Sequence, residues 1–428
     1  MNLIRKNLSY DLLQLYLVCL IPFALIFSRF VADFSLVVVC IIFIKKSFKE
    51  NIFTFLKDPF VKFFILFWVI ICFRSLFSEN LFLSLKSSFF YIRFMLFAIA
   101  IKSLFELDKK YLYYFFCSIS FCLMIIVFDG FIQFFYSKNI FGYPPFLMAD
   151  TYRLSGFFKD ELIIGSFISR ILPFYLGLYM YCKYLNIIGN KDGYVSLFLL
   201  ISCVLVLLSG ERVALFYAFL SILMGALLIN FLNIKWFLKL FTVGLIFISI
   251  ILTHEGSKKR LIDKTLNQIG ISNSKEELTD NDQIYIYSIH HHYHIVAAYK
   301  IFKDNIMFGS GVKMFREVCK DGYRENVFSC TTHPHNTIMQ FLSETGIVGI
   351  SFYFLSLFYV LKFMSINLWL LISNKDNNLY KAKIFYLLAL LISLMPLLPS
   401  GNFFNNWISI INYLPVGFYL LSNKKNEL

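Results

Sequence analysis

The sequence predicts an all-α membrane protein: a polytopic bundle of about twelve transmembrane helices with one large loop between helices nine and ten. Three observations carry that expectation. Of the 428 residues, 59% are apolar and only 15% charged, against roughly 25% charged in soluble globular proteins, and the mean hydropathy is +0.70. The apolar residues fall in runs long enough to cross a hydrocarbon core, which takes about 20 residues of helix. Polar, chemistry-bearing residues are concentrated elsewhere, with all seven His in one stretch, 253–335. A soluble domain of this length could not hide so much apolar surface. Helices satisfy their own backbone groups in lipid, and only 19 Gly and 9 Pro speak against a β-barrel.

The spans read, in order, at about 12–28, 31–44, 60–77, 88–101, 111–135, 162–182, 194–209, 213–233, 235–252, 336–361, 379–398 and 403–421. The first follows Arg5 and Lys6 with no small-residue cleavage site, so it is expected to remain as a helix. The chain reads as a single membrane domain, 1–428: spans one to nine within 1–252, the loop at 253–335, and spans ten to twelve within 336–428.

An even number of spans puts both termini on one side. Twenty Lys and Arg then lie on that side, against seven in the short loops opposite, which makes the terminal side cytoplasmic. The net charge of +14 is thereby a topology signal, and no nucleic-acid partner is expected. The long loop falls on the extracytoplasmic side. Of nine Cys, seven lie in apolar spans, where Cys behaves as a small hydrophobe. Cys319 and Cys330 lie in the loop and are expected to form a disulfide in an oxidising compartment.

Four clusters could carry chemistry. In Thr332-His333-Pro334-His335-Asn336, Pro334 suits a first helical turn and Thr332 a cap, so His335 is expected in the first turn of span ten. The helix dipole there would favour a neutral imidazole, able to accept a proton; an interfacial His that merely caps a helix is the competing reading. Arg212 opens span eight directly after the polar turn Ser209-Gly210-Glu211, on the face where cations are scarce. A guanidinium there suits phosphate oxygens, although boundary Arg residues also serve as anchors. The segment from Arg153 to Glu161, with Asp160, supplies one Arg and two carboxylates on the same face, or simply a solvated turn. His290-His291-His292-Tyr293-His294 resembles a metal cluster, but consecutive His on a helix point in several directions and zinc takes ligands from separate segments. No metal and no other cofactor is expected. Gly309-Ser310-Gly311 lacks the setting of a dinucleotide fingerprint and reads as a turn.

Together these features resemble the O-antigen ligase and O-antigen polymerase superfamily over nearly the whole chain. The resemblance rests on the span count with its one large loop, on the turn ending in Arg212, and on Arg153–Glu161. It rests also on Ile301 to Gly311 and, most specifically, on His333-Pro334-His335-Asn336 followed by Glu344, Gly346 and Gly349. It implies a bacterial inner-membrane glycosyltransferase with a periplasmic active site, bound to the lipid bilayer. Its donor would be a glycan on undecaprenyl diphosphate, and its acceptor a hydroxyl on a lipid or glycan such as lipid A-core, without a metal. The resemblance makes His335 the base and Arg212 the diphosphate stabiliser. It places Arg153, Asp160, Glu161, His291, Asn336 and Glu344 at the substrates. Many ligases carry a further Arg where this chain has His290-His291-His292. The alternatives are a polymerase extending the undecaprenyl-linked chain and, from another class, a transporter of the same lipid-linked glycan. A transporter should carry ionisable residues near mid-membrane, and here only a few, such as Arg93, Asp129 and Arg170, lie in or near spans.

Overall fold

The computed structural model describes residues 2–50, 53–148, 151–229, 251–263, 287–373 and 377–423, with a few positions between 242 and 249. The fold is all-α. The main helices are α1 (Asn2–Phe27), α2 (Arg29–Glu50), α3 (Pro59–Ser75), α4 (Leu81–Phe89), α5 (Ile92–Leu107), α6 (Lys109–Tyr136), α7 (Ile164–Tyr184), α8 (Asp192–Leu208), α9 (Arg212–Ile229), α10 (Ile289–Asp304), α11 (Thr337–Ser373), α12 (Asn378–Ser393) and α13 (Asn406–Ser422). Strands β1 (Phe146–Met148) and β2 (Thr151–Arg153) form a small antiparallel hairpin with Phe146 opposite Arg153.

Among the described residues, four helical stretches are long and apolar enough to cross a membrane: Ser9–Phe27, Leu81–Leu107, Lys109–Tyr136 and Thr337–Ser373. Asp192–Leu208 and Arg212–Leu228 are shorter apolar helices. The chain is a membrane protein on this ground. The span expected at 88–101 is in fact the broken pair α4–α5, interrupted at Phe90 and Tyr91. The span expected at 235–252 falls mostly outside the described residues. Helix starts follow side-chain capping: Asp58 accepts from Phe60 N with Pro59 in the first turn, and Asp108, Asn377 and Asn405 cap α6, α12 and α13 in the same way. α12 packs closely on α7, where Gly177 leaves room for the Tyr386 ring, which a Cβ would meet at 2.7 Å.

α11 was expected as an uninterrupted span from 336 to 361. It is instead two helices meeting at Gly346, whose φ of 63° and ψ of −163° are not helical. Such a break frees backbone groups that lipid cannot satisfy. The segment before the Gly309-Ser310-Gly311 turn and the turn itself supply the partners. Ser310 N donates to Ser343 O (2.8 Å) and Gly311 N to Glu344 O (2.9 Å), while Ile347 N and Val348 N donate to Ile306 O and Met307 O. The two backbones touch so closely that a Cβ on Gly309 would collide with the Thr345 amide, and one on Gly346 would sit 2.5 Å from the Met307 carbonyl group. The Gly-Ser-Gly turn is thus the splint of a broken membrane helix. Gly309 also has φ +68°. Gly309→Ala is therefore expected to destabilise the protein by about 1–3 kcal/mol from backbone strain alone, with the collision in addition. An unchanged thermal midpoint of the purified, detergent-solubilised variant would contradict this.

Candidate active site

Four imidazoles from two segments meet above this splint. His291 and His294, one turn apart on α10, face the turn that carries His333 and His335. Ring centroids lie 4.0 Å apart for His333 and His335, 5.3 Å for His294 and His335, and 5.8 Å for His291 and His335. The neighbouring His residues diverge as consecutive helical positions must: His290 lies edge-on to Phe328 and His292 beside Tyr293. Among the described residues, no group of three or more His, Cys, Asp or Glu is arranged to hold a metal ion.

The placement of His335 differs from the sequence expectation. It is not in the first turn of α11. The helix starts at Thr337, and Asn336, not Thr332, is its cap, with Oδ1 accepting from Met339 N at 3.0 Å. His335 lies before the helix in a left-handed conformation with φ 54°, which a non-glycine residue adopts only when its surroundings hold it there. Ser400 N donates to the His335 carbonyl at 2.8 Å, and Asn336 forms a bridge with Pro399. The other end of the Asn336 amide donates to Pro396 O at 3.2 Å. Asn336, expected at a substrate, is committed at both ends to this turn.

Hydrogen bonds separate the four rings by role. His333 receives the Thr332 hydroxyl at Nδ1 (2.9 Å) and donates from Nε2 to Ser400 O (3.3 Å), which occupies both nitrogens. His294 donates from Nδ1 to Ser329 O at 3.2 Å. His291 Nδ1 lies 2.7 Å from the Ser288 hydroxyl, which also caps α10. His335 makes no side-chain hydrogen bond among the described residues, so both its nitrogens are available to a substrate. Burial, then the neighbouring His333, His294 and His291, hold its pKa down to about 3. Burial holds His291 and His333 down to about 4. Burial and the neighbouring imidazoles thus favour the neutral form of His335.

Arg212 begins α9 and is half-buried. It lies within electrostatic reach of His291, whose protonation it opposes. His291 thus feels Arg212 on one side and packs against the His335 ring, with centroids 5.8 Å apart. The residue before Arg212 escaped the sequence reading. Glu211 is buried, and its carboxylate caps α7, which has no cap of its own, by accepting from Gly165 N (2.7 Å), Ser166 N (3.0 Å) and Ser166 Oγ (2.6 Å). Burial pushes its pKa up, opposed by Ser166 and by Arg153 nearby. Arg153 thus lies within electrostatic reach of Glu211, the residue before Arg212.

The loop that carries Arg153 is held by a second pair that the sequence did not single out as a site. Asp129 and Gln133, one turn apart and fully buried on α6, bind the 137–161 loop. Asp129 accepts from Ile140 N (2.9 Å) and Asn139 Nδ2 (3.2 Å), and Gln133 accepts from Ser155 N (2.9 Å) and Gly156 N (2.8 Å). Of the two carboxylates expected with Arg153 at a substrate, Asp160 is exposed and Glu161 pairs with Arg29 at the start of α2. Glu344, also expected at a substrate, is fully buried and accepts from Gln340 Nε2 at 3.1 Å. Its neighbours are the Lys313 and Phe315 backbone amides, so it ties the 309–315 loop to α11. Gln340 extends this network by donating to Asn402 Oδ1 at 2.9 Å.

Cys319 and Cys330 are joined by a disulfide, with α-carbons 5.6 Å apart. It closes a small core in which Ala297, Ala298 and Ile301 of α10 pack on Met314, Phe315 and Val318. Ser329, next to Cys330, is the residue whose carbonyl orients His294.

Comparison with known proteins is consistent with this geometry. Residues 197–354 match the family model described as O-antigen ligase. That stretch holds Arg212, α10, the disulfide, the four-histidine cluster and the splinted helix, while Arg153 to Glu161 precede it. No curated protein matches the chain. Over residues 197–354 the chain is similar to the O-antigen ligase family.

Proposed function

We propose that this protein is an inner-membrane glycosyltransferase of the ligase type. It moves a glycan from undecaprenyl diphosphate to a hydroxyl of a lipid-borne acceptor sugar at the periplasmic surface. The observation that carries the reading is His335: alone of the four clustered imidazoles it makes no side-chain hydrogen bond among the described residues, and it is strained and held neutral by burial. In the reaction the acceptor oxygen attacks the anomeric carbon as its proton passes to His335. The bond from that carbon to the phosphate oxygen breaks, and the diphosphate leaves with the electron pair. Arg212, with Arg153 behind it, offsets the charge that develops there. The reaction so written needs no metal, and excess EDTA is expected to leave the rate unchanged.

The test is transfer by the purified protein from undecaprenyl diphosphate-linked glycan to an acceptor glycolipid; no transfer would overturn the reading. A deletion strain separates ligase from polymerase, since unligated long chains mark the former and single-repeat glycan the latter. The reading also requires a bundle of about twelve spans with cytoplasmic termini. Alkaline phosphatase fused after residue 300 is expected to be active, and a fusion active only as a cytoplasmic reporter would reverse the topology.

A further inference from the structure

A second polar recess lies at the start of α2 and α13. It is a cleft of about 450 Å³, lined by Arg29, Phe30, Asp33 and Phe34 of α2, by Lys313, and by Asn405 to Trp407 at the start of α13. This is within the range of about 300–1,000 Å³ usual for small-ligand sites. Some of its polar groups are already committed. Asp33 is held by Arg93 (3.0 Å) and by Asn406 Nδ2 (3.3 Å), Arg29 by Glu161, and Asn405 Oδ1 by the Trp407 amide (2.9 Å). Three capacities are left over among the described residues: the Lys313 ammonium, the Asn405 Nδ2 donors and the Asn406 carbonyl oxygen.

Lys313 is the unusual member. Its ammonium makes no hydrogen bond or ion pair among the described residues, it is half-buried, and its backbone is left-handed with φ 62°. Glu344 and Asp33 act on it only through space, and Asp33 is already paired with Arg93, so a half-buried ammonium still gains from an anion that meets it. Phe30 and Phe34, one turn apart with stacked rings 6.1 Å between centroids, add an exposed apolar wall. An isolated ammonium, amide groups and an aromatic wall are the contacts that suit an acidic sugar: anion, hydroxyls and C–H face.

Position ties the cleft to the reaction. The segment that binds the His335 carbonyl at Ser400 and Gln340 at Asn402 runs on to Asn405 and Asn406. Lys313 lies at the other end of the loop that splints α11, against Glu344. The diphosphate-facing Arg153 and Arg212 are not among the residues lining the cleft.

We propose that this cleft binds a sugar of the acceptor glycan that carries a phosphate or carboxylate, with Lys313 on the anion and Asn405 and Asn406 on neighbouring hydroxyls. The word acceptor rests on the transfer reaction proposed for His335; the saccharide site does not. The probe is a synthetic trisaccharide with one phosphate monoester, compared with the same trisaccharide lacking it. Binding is measured by calorimetry to the full-length protein in phosphatidylcholine nanodiscs. The phosphorylated form is expected to bind at least about tenfold more tightly. Lys313→Met should erase that preference, and Asn406→Trp, which fills the cleft from an exposed position, should weaken both sugars about tenfold. His335→Ala should bind like the wild type, and undecaprenyl diphosphate should not compete. Equal affinity for the two trisaccharides, or a preference that survives Lys313→Met, would overturn the site. Loss of binding in phosphatidylglycerol nanodiscs would reassign the cleft to a lipid headgroup, and competition by undecaprenyl diphosphate would reassign it to the donor. Because binding needs no turnover, a protein that binds but does not transfer sinks the proposed reaction and leaves the saccharide site standing.

Discussion

His335→Ala is expected to slow glycan transfer by about 10²- to 10⁴-fold, the usual cost of removing a general base. The other three imidazoles cannot substitute. His333 has both nitrogens engaged, His294 is buried with one nitrogen on Ser329, and His291 is turned to Ser288 and Arg212. The pH profile gives an independent check. With its pKa held at about 3, His335 is already a free base at pH 5, so the acid limb should lie well below pH 6. An ordinary His would lose half its base form near 6.5. A limb centred near 6.5, or near wild-type turnover by His335→Ala, would end the assignment. Stability should move the other way with acid. His291 and His333 titrate at about 4 when folded and near 6.5 when unfolded, so below 6.5 the unfolded chain binds more protons. The thermal midpoint should therefore fall as pH drops from about 6.5 toward 4.

The residues that carry charge or a ring nitrogen were legible in the sequence, because lipid leaves so few places for them. Arg212 after a polar turn and His335 in a His-Pro-His-Asn run stand out against apolar spans. Their surroundings were not legible, because they are made by distant backbone. Pro334 reads locally as the first turn of a helix, yet the chain from Pro396 to Ser400, some sixty residues on, pairs with His335 and Asn336 and delays the helix to Thr337. Gly346 sits in an apolar run whose periodicity shows no break; the break exists because Ile306 to Gly311 insert against it. Glu211 looked like part of a turn, and its use as the cap of α7 depends on Gly165 and Ser166, 45 to 46 residues upstream. Glu344 was expected at a substrate only through the resemblance; its carboxylate is buried beside the Lys313 and Phe315 amides of a loop whose approach no local pattern shows.

Arg212→Lys is expected to lower transfer by about 10²- to 10³-fold, comparable to losing one donor of an oxyanion site. The charge is kept, so a purely electrostatic role would show little loss. Lysine, however, offers a compact ammonium in place of a planar fork, and two phosphate oxygens held side by side reward the fork. The local structure makes the substitution a clean one. Glu211, not Arg212, caps α7, and Gly210, with φ 73°, makes the turn that delivers both. The helix start and the α7 junction should therefore survive Arg212→Lys. The expected signature is a fall in kcat with the thermal midpoint preserved, because the guanidinium is asked to act most strongly on the departing diphosphate. Glu211→Ala is the contrasting variant. It strips the α7 cap and the group beside Arg153, so midpoint and rate should fall together. If Arg212→Lys retains more than about a tenth of wild-type turnover on purified undecaprenyl diphosphate-linked glycan, the bidentate contact is wrong. Arg212 would then be an interfacial anchor, and the search for the cation on the diphosphate would move to Arg153.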